Sequence, residues 1–325
     1  MPPSFSFTLG KFMKNIICIE GPTASGKSDL AFGLAKVFDT EIVSADSRQV
    51  YKYLNIGTAK PNEKLSSEVK HHLIDIITPD KRYSAGAFVK DAEPIINDLW
   101  SRGKVPIVCG GTMLYVKSLL EGISNIPDID EETRTKAYEF MRSNSLEACY
   151  KFVTEVDPKF ASIISPTDKQ RISRALEIWF AFEKPLTYFW DQQEAKDKYR
   201  PFRIYVYKER AELYEHINKR MRNMISDGLI REIKSVLDLG YKQEDYGLNS
   251  VGYKEFIECG VDAKCKVIDE PHKLEQCIEL AAQNTRNYAK RQITWYRKTS
   301  FTYSYSEKTD CISSTREKIL EYFSL

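Results

Sequence analysis

The chain has 325 residues, 42% of them hydrophobic and 29% charged, with 48 Lys and Arg against 46 Asp and Glu for a formal net charge of +2. This suits a globular protein of about two domains with a sizeable core, and it excludes a disordered or collagen-like chain. Near-neutral charge names no partner by itself, so a nucleic-acid surface has to show as local segregation of charge.

No stretch nears the roughly 18 apolar residues of a membrane span. The start, Met1 to Met13, has neither the apolar region nor the cleavage site of a secretory signal, and its Lys11 stands without the arginines of a mitochondrial presequence. A cytoplasmic protein with no membrane partner is expected. The cysteines (Cys18, Cys109, Cys149, Cys259, Cys265, Cys277 and Cys311) are odd in number and scattered, with no C-x-x-C. Reduced, mostly buried thiols are therefore expected, with neither a disulfide framework nor a zinc site.

In chain order, residues 1–13 read as a tail and Asn15 to Glu20 as a short buried strand. Then comes Gly21-Pro22-Thr23-Ala24-Ser25-Gly26-Lys27-Ser28. G-x-x-x-x-G-K-S between a strand and a helix is a phosphate-binding loop: backbone N–H groups and the helix N-terminus surround phosphate oxygens, Lys27 adds a charge and Ser28 a hydroxyl for Mg²⁺. Apolar Leu30, Ala31, Leu34, Ala35 and Phe38 predict a helix over 27–38 lying on a sheet. Strands are predicted at Glu41 to Ser44, His72 to Ile77 and Lys104 to Cys109, with a helix from Ala85 to Trp100. This βαβα alternation implies an α/β fold, a mostly parallel sheet flanked by helices, in which ligands bind beyond the carboxyl ends of the strands. Lys27, Ser28, Asp46 and Thr112 should then face one cleft.

Residues 125–201 change to helical spacing, with breaks at Asp157-Pro158, Ser165-Pro166 and Lys184-Pro185, and read as an all-helical insertion. The core resumes at 202–325. Phe202 to Tyr207 reads as a returning strand; helices follow at Ala211 to Ile225, at Ile230 to Leu237 before Gly240, and from about His272 to Lys298. Between Asn284 and Ser300 the cations Arg286, Lys290, Arg291, Arg297 and Lys298 stand with Tyr288, Trp295 and Tyr296 and no acid, the segregation an RNA surface requires.

The strand Val105 to Cys109 ends in Gly110-Gly111-Thr112, without the carboxylate that P-loop ATPases and GTPases add for Mg²⁺. Asp46 is left as the one carboxylate aimed at the cleft, either as a proton acceptor or metal aid or as the cap of a helix starting near Ser47. Thr112, just after the strand, would by itself be a simple helix cap.

The phrases around these residues occur together: Ser44-Ala-Asp-Ser-Arg-Gln-Val-Tyr51, Gly57-Thr-Ala-Lys-Pro61, His71-His-Leu-Ile-Asp75, Tyr83-Ser-Ala85, Gly110-Gly-Thr112, Gly252-Tyr-Lys-Glu255 and Lys290-Arg-Gln-Ile-Thr-Trp-Tyr-Arg297. With the loop at Gly21 to Ser28, their order from Ile16 to Arg297 closely resembles the tRNA dimethylallyltransferases.

The resemblance implies transfer of a dimethylallyl group from its diphosphate to N6 of the adenosine 3′ of the anticodon, adenosine-37, with release of diphosphate. It implies a P-loop-like core, Mg²⁺ as cofactor, and dimethylallyl diphosphate and the tRNA anticodon stem-loop as partners, the enzyme being expected as a monomer. The P-loop, a motif otherwise shared with ATP-binding proteins, would hold diphosphate through Gly21 to Ser28, with Arg220 reaching the same group. Asp46 becomes the general base, Thr112 and Lys27 catalytic. Asp46, Ser47, Arg48, Gln49, Thr112, Arg134, the helical phrase Gln170-Arg171-Ile172-Ser173-Arg174, and Lys290, Arg291, Gln292 and Arg297 become tRNA contacts.

Two departures stand out. Met113 replaces the glycine of the family's Gly-Gly-Thr-Gly-Leu-Tyr and is expected to narrow the prenyl pocket or shift the Thr112 loop. The zinc-finger extension of some eukaryotic relatives is absent, which points to a bacterial type. The alternatives are an adenylate isopentenyltransferase acting on free nucleotide, a P-loop small-molecule kinase, and a silent RNA-binding paralogue for which Met113 is the only hint.

Overall fold

The structure is a computed structural model and describes residues 13–124, 126–192, 198–262 and 270–324. Contacts divide the chain into two units, Glu121–Lys196 and the remainder. Among the described residues no helix is long and apolar enough to cross a membrane. The N-terminal tail, apart from Met13, and Cys265 lie outside the described residues.

The larger unit begins β1 (Lys14–Glu20), α1 (Lys27–Val37), β2 (Ile42–Ser44), α2 (Glu63–Glu68), β3 (His71–His72), α3 (Ala85–Ser101), β4 (Ile107–Gly110) and α4 (Met113–Glu121). The smaller unit holds α5 (Glu131–Ser143), α6 (Leu146–Val156), α7 (Pro158–Ala161), α8 (Lys169–Phe182) and α9 (Leu186–Asp191). The chain returns through β5 (Tyr199–Val206), α10 (Arg210–Asp227), α11 (Leu229–Asp238), α12 (Lys254–Glu258), α13 (Pro271–Tyr296), β6 (Tyr303–Tyr305) and α14 (Ile312–Phe323).

The six strands form one sheet in the order β3-β2-β4-β1-β5-β6, and every pairing is parallel. A parallel sheet covered on both faces needs strands that are apolar on both. Ile16, Ile17, Cys18 and Ile19 meet that need, all fully buried. Alternate residues separate into two cores. Ile17 and Ile19 pack with Leu30 and Leu34 of α1 and Ile319 and Phe323 of α14; Ile16 and Cys18 pack with Phe88 and Ile96 of α3 and Val116 of α4.

Several boundaries differ from the sequence expectation. The strand expected over 72–77 is the two-residue β3, because Leu73 and Asp75 take left-handed φ values of 62° and 57°, which no ladder accommodates. Strand β5 starts at Tyr199, opposite Lys14, so residues 199–201 belong to the sheet rather than to the helical insertion. Strand β6 and α14 are unanticipated; three alternating residues are too few to register as a strand.

The chemistry of the cysteines differs as well. Cys259 and Cys277 form a disulfide, which corrects the expectation of reduced thiols throughout: α12 ends where the early turns of α13 pass, and eighteen residues of separation make no recognisable motif. Cys18, Cys109 and Cys149 are buried free thiols.

The smaller unit has its own core of Ala137, Cys149, Val153, Phe160, Ile172 and Leu176. Asp157 makes its break at proline: one carboxylate oxygen accepts the Phe160 N–H and the Thr187 hydroxyl, the other the Thr187 N–H.

Candidate active site

Three strand ends in the middle of the sheet carry the candidate residues. β1 runs into the P-loop, β2 into Asp46, and β4 into Gly111 and Thr112. The ends of β2 and β4 approach so closely that a Cβ on Gly110 would lie 2.1 Å from the Ala45 carbonyl oxygen, so only glycine fits there.

The P-loop turns through left-handed Ala24 (φ 63°) and Gly26 (φ 91°), the alternation that gathers successive N–H groups into an anion-binding concavity. Among the described residues the N–H groups of Ala24, Gly26, Lys27 and Ser28 have no protein acceptor, and the buried Ser25 Oγ is likewise unpartnered. The Thr23 N–H, expected at the diphosphate, is instead taken by Gln292 Oε1 at 2.9 Å.

Beside the loop lies a cleft of about 410 Å³ whose charged walls are Lys27, Asp46, Arg48, Arg220 and Arg291. Four cations thus face one carboxylate. Burial lowers the Lys27 ammonium pKa against the opposing pull of Cys109 and Asp46, and burial lowers that of Arg220 against Asp46. Both cations are short of counter-charge, and an anion in the cleft would restore it. Ile217, Met221 and Met224, on one face of α10, add an apolar wall. Tyr288 of α13 adds an aromatic one, its hydroxyl pushed up to about 12 by burial and the nearby Asp46 carboxylate.

Asp46 closes a turn rather than capping a helix, and it stands at the cleft. Its Oδ1 accepts the Arg48 N–H at 2.8 Å and the Gln49 N–H at 3.4 Å, closing a turn, while the residue lines the cleft. The segment after it is turn, not helix. Thr112 Oγ1 accepts the Ser47 N–H at 2.9 Å, fastening the acid's loop to the end of β4.

Two expected RNA contacts are occupied elsewhere. Gln49 Oε1 accepts from Ser44 Oγ, and its Nε2 donates to the carbonyls of Thr58 and Ala59, so its side chain braces the 57–61 loop. Gln292 is 1% exposed, with its amide shared between Thr23 and Gly111. In the smaller unit Ile172 is fully buried, a core residue rather than a contact. Gln170 and Arg171 are exposed and Ser173 half-buried. Arg134 and Arg174 both reach Glu177, at 3.5 and 2.8 Å.

Lys290 and Arg291 on α13 and Arg297 just past its end are exposed, and Arg291 lies over the Tyr288 ring at 5.7 Å. Asn287, Lys290, Arg291 and Thr294 line a second, shallower depression. Arg48 is exposed and donates to the Tyr246 carbonyl at 2.9 Å. Met113 opens α4 with ordinary helical φ and is not among the cleft walls. The glycine's freedom is not needed there.

Sequence reasoning missed the wall formed by Ser250, Val251 and Gly252. The buried Glu255 holds it, accepting the Gly252 N–H through Oε2 and the Asn284 amide of α13 through Oε1, each at 2.8 Å. It also missed Met221 and Met224, although their spacing next to Arg220 was a readable signal.

For Mg²⁺, the described residues offer no group of three His, Cys, Asp or Glu. Ser28 exposes a hydroxyl in the first turn of α1 that has no hydrogen-bond partner among the described residues; it follows Lys27 in the chain but is not itself a wall of the cleft, as Lys27 and Asp46 are. That fits an ion held chiefly by diphosphate oxygens and water, the usual habit of Mg²⁺.

The family model described as IPP transferase matches residues 49–299. A tRNA dimethylallyltransferase of Aquifex aeolicus is 41% identical over 283 residues, 87% of this chain and 89% of the relative. That of Geobacter sulfurreducens is 39% identical over 284 residues, again 87% and 89%. Among solved structures, a eukaryotic dimethylallyltransferase acting on tRNA superposes with a TM-score of 0.78 at 27% identity, over 94% of this chain and 77% of that one. The tRNA delta(2)-isopentenylpyrophosphate transferase of Staphylococcus epidermidis gives 0.65 at 31%, over 96% and 99%. With an IPP transferase match over most of its length and tRNA dimethylallyltransferase relatives near 40% identity, this chain belongs to the IPP transferase family.

Proposed function

We propose that the protein transfers a dimethylallyl group from dimethylallyl diphosphate to N6 of adenosine-37, 3′ of the anticodon in tRNA, releasing diphosphate. The observation that carries this reading is the cleft itself: unpartnered P-loop N–H groups, four cations and a single carboxylate around one cavity with an apolar wall.

In this reading the P-loop N–H groups, Lys27 and Arg220 hold the diphosphate and stabilise the charge that collects on it as the C1–O bond breaks. Mg²⁺, held through Ser28, would supply further charge on the diphosphate oxygens. The five-carbon chain lies against Ile217, Met221 and Met224. The N6 amine, a poor nucleophile because its lone pair is delocalised, is oriented by Asp46; as the C1–N6 bond forms, its proton passes to that carboxylate. Reaching N6 requires the base to be unstacked, and Tyr288 with Arg291 offers a planar, cationic rim. Lys290 and Arg297 meet the RNA backbone.

The test is transfer of radiolabelled dimethylallyl to unmodified tRNA with Mg²⁺, with AMP and ATP as parallel acceptors. Label should enter tRNA, vanish when adenosine-37 is replaced, and fall by roughly a hundredfold or more in Asp46→Ala, with tRNA affinity retained. Label confined to AMP or ATP would instead place the protein among the free-nucleotide enzymes.

A further inference from the structure

The amide of Gln292 is the only side chain among the described residues that hydrogen-bonds both the P-loop and the Gly-Gly-Thr turn. Its Oε1 accepts the Thr23 N–H at 2.9 Å, and its Nε2 donates to the Gly111 carbonyl, also at 2.9 Å. The fit is close: a Cβ on Gly111 would lie 2.7 Å from Nε2.

The connection continues past Gly111. Thr112 Oγ1 accepts the Ser47 N–H, and Asp46 Oδ1 accepts the Arg48 N–H. An unbroken series of contacts therefore runs from the loop that would hold the diphosphate, through α13, to the carboxylate that would take the proton. Both of its ends line one cleft. Gln292 also differs from the two cations before it: Lys290 and Arg291 are exposed, while it is 1% exposed.

We propose that Gln292 is a positioning residue for the transfer reaction, fixing the distance between the diphosphate loop and the Asp46 loop, and that it makes no RNA contact. The inference rests on the function proposed above. An in-line displacement tolerates little error in the separation of leaving group and nucleophile; misplacement by about 1 Å costs on the order of a hundredfold in rate. A glutamine suits the task because one planar group donates at one end and accepts at the other.

Three variants separate this role from its rivals. Gln292→Glu keeps an acceptor for Thr23 but sets an oxygen against the Gly111 carbonyl; Gln292→Asn is one methylene short; Gln292→Leu loses both bonds. Each should lower the single-turnover rate at saturating tRNA about 10- to 100-fold, with the tRNA Kd unchanged within about twofold, a split expected of a group that acts only on geometry. In Gln292→Asn and Gln292→Leu, which give up the Thr23 acceptor or move it, the Thr23 amide should exchange with deuterium about tenfold faster or more.

A weakened tRNA Kd with a wild-type single-turnover rate would make Gln292 an RNA contact and overturn the proposal. So would folded variants with wild-type rates, or failure of all three to fold, which would make the residue purely structural. If the wild-type protein transferred no label to tRNA, the functional reading would fall. The Thr23 exchange measurement would still report on the brace.

Discussion

The hydroxyl of Tyr253 donates to Glu232 Oε1 at 2.6 Å, and the same carboxylate accepts three consecutive backbone N–H groups, those of Asn55 and Ile56 at 2.8 Å and of Gly57 at 3.2 Å. A single acid on α11 thus closes the loop that carries Gly57 and Thr58 to the wall of the cleft. Lys60 ties the loop's other side, donating to the Tyr51 carbonyl and to Asp75.

Removing the acid should therefore loosen the cleft wall as well as the fold. Glu232→Ala strands three N–H groups and a fully buried tyrosine. Leaving buried donors unpaired costs roughly 1–3 kcal/mol each at most, less where water enters, so a total loss of about 2–4 kcal/mol is predicted. Glu232→Gln, which keeps acceptor oxygen, should lose about half as much. Urea unfolding measures the loss, and hydrogen exchange over residues 54–58 locates it. Unchanged stability and exchange in Glu232→Ala would show that the N–H groups find other partners.

The hydroxyl of Thr112 is predicted to act through the Asp46 loop. Thr112→Val keeps the side chain's shape and removes the acceptor for the Ser47 N–H; the single-turnover rate should fall about tenfold, in line with one lost positioning bond of ~1.4 kcal/mol. Thr112→Ser should keep most of the rate. A wild-type rate in Thr112→Val would leave the Asp46 loop held by its own turn alone.

The braces made by Gln292 and Glu232 mark where sequence reading stops. The P-loop, Asp46 and Thr112 were legible because each is a short phrase at a strand end, and the parallel topology gathers such ends. Residue phrases of that kind carry their own geometry. The braces do not: Gln292 meets Thr23 across 269 positions, and Glu232 meets Gly57 across 175. Neither residue type at either position signals its partner. The shortening of β3 was equally hidden, since leucine rarely adopts a positive φ and Leu73 gives no local warning of one. Ile172 was misread for a different reason. It stands inside a phrase of polar residues, but on α8 it shares a face with Ala175 and Leu176, and the helical period turns it inward.

The basic face of α13 should show itself in salt dependence. Lys290 is exposed and, among the described residues, has no ion pair. Lys290→Ala should weaken tRNA binding, reduce the slope of log K against log salt by roughly 0.7–0.9, the value for one phosphate contact, and leave the rate at saturation unchanged. Arg286 supplies the contrast, since its guanidinium is committed to Asn218 and Glu279; Arg286→Ala should alter the salt slope less. Equal slopes for wild type and Lys290→Ala would remove Lys290 from the RNA interface.

The last prediction concerns acid stability and involves no substrate. Glu41, just before β2, accepts from Arg102 Nη1 at 2.7 Å and pairs with His72 Nε2 at 2.6 Å, with Lys70 farther off at 3.9 Å. The Arg102 hydrogen bond leads in holding its carboxyl down at about 2, against the opposing effect of burial and with His72 assisting. A carboxyl whose pKa is depressed on folding contributes stability that is fully present above its unfolded pKa, near 4.3, and lost as pH falls through the folded value. The contribution should therefore hold from neutral pH to about 5 and decline between about pH 4.5 and 2. Glu41→Gln should be less stable than wild type at pH 7, and the difference should shrink as the pH is lowered through that window. Urea midpoints for both proteins from pH 7 to 3 test this. Parallel curves would mean that Glu41 titrates alike in the folded and unfolded chains and that Arg102, His72 and Lys70 beside it contribute nothing net.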